Sequence, residues 1–168
     1  MVKSVFVSVL ILLAVGVFES AIISNISFLP AVPDLLLLCV IYMALLNGRT
    51  YGSSTGFISG LFQDFLTGCP FGFNMLLRSL LGYFPGFFSK SINFSGFFIP
   101  AAFGLIGTIV KVVITWIISL FFPNLIVNYD IISLAFLFEL VCNTLLAPFI
   151  FKLMNMFSRL IALSDGDL

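Results

Sequence analysis

Apolar residues run along this chain in long blocks broken by proline, glycine, asparagine or charge. The blocks define six candidate membrane spans, at about 4–23, 32–46, 51–66, 73–89, 97–121 and 131–151. The second and third are short beside the roughly 20 residues of a membrane-crossing helix. They are read as tilted or partly buried helices, or as a helical hairpin turning at Asn47-Gly48-Arg49. Pro30 and Pro33 mark the entry to the second span, and Pro123 with Asn124 closes the fifth. The predicted fold class is all-α: a polytopic membrane bundle of six transmembrane helices, forming one domain over residues 1–152. A short tail, residues 153–168, follows and ends in the acidic Ser164-Asp165-Gly166-Asp167. It is expected to fray.

Within the third block a landmark falls on every fourth residue: Gly48, Gly52, Gly56, Gly60, Asp64, Gly68 and Gly72. On a helix such a row drifts by only about 40° per step, so Gly52, Gly56 and Gly60 cut a shallow groove in one face, with Asp64 near its end. Each glycine inside a helix costs about 1 kcal/mol against alanine, which points to close helix contact as the purpose. Gly82 and Gly86 form a second small-xxx-small pair, and Gly104 and Gly107 lie in the fifth block. Such faces let helices cross closely. Packing within the chain's own bundle and docking of a partner's helix both use this geometry.

Composition places the contact in a membrane. Of 168 residues, 61% are hydrophobic and 8% charged, with mean hydropathy +1.26, whereas soluble domains carry about 25% charged residues. Seven basic and seven acidic residues cancel, leaving no electrostatic footprint for nucleic acid. Lys3, Arg49, Lys90, Lys152 and Arg159 all fall on one side if the amino terminus is cytoplasmic, and the connections 24–31, 67–72 and 122–130 contain no lysine or arginine. The positive-inside rule then predicts both termini in the cytoplasm. Lys3 before an apolar run also suits a signal peptide, but Glu19 spoils the cleavage context before Ala21 and the run is long, so the first span is read as retained. The 22 phenylalanines are read as lipid-facing and interhelical packing.

Ionisable side chains in hydrocarbon are costly, by at least about 2.5 kcal/mol at a helix centre, so each needs a partner or a wet cavity. Counting along the spans puts Glu19, Asp34, Asp64 and Arg78 in the outer part of the membrane, where an Asp64–Arg78 ion pair is expected across the short GCPFG turn. The same count sets Lys111 and Glu139 alone near mid-membrane, and they are expected to pair. Interhelical clasps and a proton, ion or ligand path are the two readings of these six residues.

Candidate catalysis is thin. The chain has no histidine, which disfavours most catalytic zinc sites, haem ligation and histidine-dependent proteolysis. There is no nucleotide loop, and Ser59 within GFISG lacks a conventional base. Cys39, Cys69 and Cys142 show no metal-ligand spacing and are read as free thiols. No catalytic residue, metal or cofactor is predicted.

Pro33-Asp34 opening a leucine run, Gly48-Arg49, the glycine ladder, Gly60-Leu61, Asp64, the Gly68-x-Pro70-x-Gly72 turn and Gly82-Tyr83 occur in that order. Together they resemble the MreD family of bacterial rod shape-determining membrane proteins. The specific block covers residues 33–86; the first span and the chain after residue 90 match in hydrophobic character. The resemblance implies a non-enzymatic inner-membrane scaffold of the cell-elongation complex that supports lateral peptidoglycan synthesis. Its implied partners are MreC, a single-span protein, together with MreB, RodA and a class B penicillin-binding protein. Members are also similar in fold to the substrate-binding S components of energy-coupling-factor vitamin transporters, which supplies the alternative function. The chain departs from that alternative in its polar-poor outer loops and in lacking an AxxxA motif in span one.

Overall fold

The structure, a computed structural model, describes residues 2–21, 23, 30–89, 91, 96–121 and 133–163. They contain helices α1 (Val2–Ala21), α2 (Leu35–Asn47), α3 (Arg49–Thr67), α4 (Phe73–Tyr83), α5 (Phe98–Phe121), α6 (Leu134–Met156) and a last short turn, α7 (Ser158–Ile161). A 3-10 turn, Pro85–Phe88, extends α4. No strand occurs among the described residues. Three helical segments, Lys3–Ala21, Phe98–Phe121 and Leu134–Met156, are long and apolar enough to cross a membrane, and Leu35–Asn47 is a shorter apolar helix.

α2 is the axis of the bundle. Its sequence, LLLLCVIYMALLN, has no polar stripe to turn toward another medium, and a helix apolar all round must be surrounded. Every residue of α2 except Leu46 is buried, and α1, α3, α4, α5 and α6 all pack on it. This explains its length. At about 1.5 Å per residue it spans roughly 20 Å, short of a hydrocarbon core of about 30 Å, but a helix sheathed in protein need not match the lipid.

α3 and α4 form an antiparallel hairpin in which glycine meets backbone. A Cβ placed on Gly60 would strike the Asn74 carbonyl, one on Gly56 the Arg78 carbonyl, and one on Gly52 the Gly82 carbonyl; Gly86 lies as close to Arg49 and Gly48. Each four-residue step along α3 is thus matched by a four-residue step back along α4. Lipid gives helices no hydrophobic reason to associate, so dispersion across such a contact carries the packing. The connecting turn needs left-handed backbone at Gly68 (φ 66°) and Gly72 (φ 96°), which other L-residues adopt only with strain.

The ends differ from the expected boundaries. α6 continues past residue 151 to Met156, and the segment after Lys152 does not fray where the structure describes it: Met154 and Ile161 are buried. Asn47 clamps this segment, donating from Nδ2 to the Ile161 carbonyl (3.3 Å) and accepting from the Leu163 amide (2.9 Å). Ser4 donates to the Ala162 carbonyl (3.3 Å). The correction has a simple cause: an apolar Ile161 has a protein surface to cover, which a linear count of polar residues does not reveal. Ser164 to Leu168 lie outside the described residues.

Candidate functional site

Because α2 is short, its first turn starts inside the bundle, where the free N–H groups of a helix start have no water to bond. Side chains from three directions supply the acceptors. Asn143 Oδ1 of α6 accepts from the Asp34 amide (2.9 Å), Glu19 Oε2 of α1 from the Leu36 amide (3.0 Å), and Asp34 Oδ1, as N-cap, from the Leu37 amide (2.8 Å). Carboxylates also suit the positive end of the helix dipole.

Asp34 then carries a charge that must be matched. Arg78 Nη2 of α4 reaches Oδ1 at 2.7 Å and Lys111 Nζ of α5 reaches Oδ2 at 2.8 Å. Lys111 also pairs with Glu139 Oε1 of α6 at 2.6 Å. The chain Arg78–Asp34–Lys111–Glu139 links four helices with two positive and two negative charges. Asn143 Nδ2 donates to Thr108 Oγ1 (3.0 Å), whose hydroxyl donates to the Gly104 carbonyl (2.8 Å). Arg78 Nε donates to Gln63 of α3, while its Nη1 is buried without a hydrogen-bond partner.

Lys111 and Glu139 therefore meet as expected, but not alone. Asp34 joins them because its helix begins deep in the bundle rather than at the outer surface from which depth was counted. The expected Asp64–Arg78 pair is corrected. Arg78 reaches as far as Gln63, the neighbour of Asp64, but its guanidinium is engaged there and on Asp34. Asp64 instead holds the start of α4, accepting from the Gly72 amide (2.9 Å) and the Asn74 amide (3.0 Å). Each of Glu19, Asp34 and Asp64 thus bonds the opening turn of a helix. Asp64→Leu is expected to lower stability by about 2 kcal/mol through two lost caps. Its effect should add to that of Arg78→Met within about 0.5 kcal/mol, as for independent sites; stronger coupling in detergent unfolding would restore the ion pair.

Gly52, Gly56, Gly60, Gly82 and Gly86 all lie in the α3–α4 contact. Lys3, Arg49, Lys152 and Arg159 are exposed. They share one end of the bundle, where the Ser4–Ala162 and Asn47–Ile161 bonds bring the first turn of α1, the α2–α3 turn and α7 together. Lys90 lies outside the described residues. Cys39, Cys69 and Cys142 are free thiols, and no group of three or more potential metal ligands occurs among the described residues.

Sequence reasoning missed Gln63, Thr108 and Asn143. A signal existed for two of them: Glu139, Asn143 and Ala147 recur at four-residue steps on α6, and Gly104, Thr108 and Thr115 share a face of α5. Polar and small residues in register on neighbouring helices mark an interhelical seam.

A family model described as rod shape-determining protein MreD matches residues 2–157. The match extends well beyond the motif block at 33–86, into the first helix and both helices after residue 90. Neither the curated proteins nor the solved structures gave a match.

Proposed function

The chain belongs to the MreD family of rod shape-determining proteins, and from that premise we propose that it works as a non-enzymatic scaffold of the cell-elongation complex in the bacterial inner membrane. In this reading the chain makes six spans, similar to a transporter S component, with both termini cytoplasmic. The gathering of Lys3, Arg49, Lys152 and Arg159 at one end of the bundle supports that orientation through the positive-inside rule. The scaffold presents its outer helix faces to a single-span partner of the MreC kind and its basic end to anionic headgroups or to the cytoskeletal partner.

One observation carries this reading over a solute-binding subunit: the intramembrane charges engage one another and helix starts. Arg78, Asp34, Lys111 and Glu139 form a continuous ion-paired chain, and Asp64 bonds two backbone amides. The cavity beside Glu19 and Gln63, of about 170 Å³, is lined by none of these five, and sites for drug-sized ligands run to about 300–1,000 Å³. The test is co-purification of the full chain with the single-span coiled-coil protein, followed by in-membrane crosslinking from exposed positions such as Phe57, Phe65 and Leu76. Crosslinks along one face support the scaffold. Retention of a vitamin through purification, with no protein crosslinks, overturns it.

A further inference from the structure

A cleft of about 700 Å³ opens beside the α2–α3 turn, with Arg49, Thr50 and Ser54 on its polar side and Val5, Ile58 and Phe87 among its apolar walls. Among the described residues Arg49 is the one charged residue lining it. The guanidinium stacks over the Phe87 ring, 4.7 Å from its centroid, and among the described residues it makes no ion pair. Phe87 is also half exposed (51%), as are Phe84 and Phe88 nearby in the chain. Exposed aromatic surface in a membrane protein faces hydrocarbon, so Phe87 brings the cation to the edge of an apolar wall. Cation above and hydrocarbon below is the layering of a phospholipid at the membrane surface.

We propose that this cleft is a binding site for one anionic phospholipid, its phosphate on Arg49 and its acyl chains along Ile58 and Phe87. The planar guanidinium suits a phosphate, offering paired donors in a fixed plane. Ser54 Oγ already donates to the Thr50 carbonyl at 2.8 Å, while the Thr50 hydroxyl is a further side-chain donor on that side. Among the described residues no carboxylate lines the cleft to repel the headgroup. A free phosphate would leave the apolar walls bare, and an acidic protein segment would need donors deeper in the cleft. There Asn47 is committed to Ile161 and Leu163, and Tyr51 to Ser8 and Ser4. The site does not depend on the scaffold reading or on which side of the membrane it faces.

Native mass spectrometry of the full chain released from nanodiscs of mixed phosphatidylcholine and phosphatidylglycerol reads the lipid directly. The wild type is expected to retain one phosphatidylglycerol in preference to phosphatidylcholine, and Arg49→Gln to retain it about fivefold less. Ser54→Phe, which keeps the charge and fills the cleft, should lose it too. Lys152→Gln and Arg159→Gln, outside the cleft, should each give less than half the effect of Arg49→Gln. Equal losses from all three charge variants would mean a diffuse basic surface, and full retention in Ser54→Phe would mean the cleft is not used; either overturns the proposal. Displacement by dissolved glycerol phosphate would assign the site to free phosphate. Undiminished lipid retention in Arg49→Gln, with loss of a co-purifying protein, would assign it to an acidic segment; these outcomes also overturn it.

Discussion

Asp34→Ala is expected to be among the most damaging single substitutions in the chain. It removes the N-cap acceptor of α2 and, at the same stroke, the carboxylate shared by Arg78 and Lys111. Losing one member of a buried ion pair costs about 3–5 kcal/mol, because the partner stays buried and unmatched, and the lost cap adds about 1 kcal/mol. In a chain of this size each kcal/mol moves the unfolding midpoint by about 2–4 °C. Asp34→Ala should therefore lower the melting temperature in detergent by at least about 8 °C, or leave no folded protein. Asp34→Asn keeps the cap but strands Arg78 and leaves Lys111 with Glu139 alone, so it should lie close behind. Lys111→Met should cost less, since Asp34 keeps Arg78 and Glu139 keeps Asn143 Nδ2 at 3.5 Å. Combined with Asp34→Asn it should recover part of the loss, a coupling that a double-mutant cycle reads. A midpoint for Asp34→Ala within 2 °C of wild type, by the scale just given, would mean that the network carries no stability.

Gly56→Ala is the second large effect, although it adds a single methyl group. Its Cβ would lie inside contact distance of the Arg78 carbonyl oxygen and carbon, with the Ser79 Cα at 3.1 Å. These are backbone atoms of a helix, which cannot rotate away, so α3 and α4 must separate along their whole shared face. Overpacking costs typically 1–3 kcal/mol, and the rigid neighbours place Gly56→Ala at about 3 kcal/mol; Gly56→Leu should yield no folded bundle. Gly96→Ala, where nothing lies within 4 Å, should be silent. Gly16→Ala should be mild, because its nearest neighbour is a side-chain end, Leu36 Cδ1 at 3.3 Å, rather than backbone. Yield of monodisperse protein after membrane extraction ranks the four variants. Equal yields for Gly56→Leu and Gly96→Ala would refute the close packing described for the hairpin.

Local pattern made parts of this arrangement readable. The ladder at Gly52, Gly56 and Gly60 announces a close contact because glycine in a helix is expensive without one. Pairing of Lys111 with Glu139 follows from depth alone, since an unpartnered charge there is costly. Depth failed for Arg78 and Asp64. Both count as outer residues, but Asp64 spends both carboxylate oxygens on the Gly72 and Asn74 amides, while Arg78 turns to Asp34 and Gln63. Which acceptors a long side chain meets depends on the assembled bundle, and one segment of sequence does not carry that.

From its residues alone, this chain was bound to be an α-helical membrane protein: with 8% charged residues it cannot clothe itself for water, and apolar blocks in lipid must satisfy their own backbone. The residues also determined that the few buried charges would seek one another, and that α3 would press a glycine face against something. The tertiary structure alone decided what those faces and charges meet. It placed α2 at the centre, where its first turn lies out of reach of water, and so recruited Glu19 of α1 and Asn143 of α6, beside its own cap Asp34, to bond its amides. The physical reason is that a helix start needs acceptors wherever it falls. Where it falls is a property of the assembled bundle, not of any one segment.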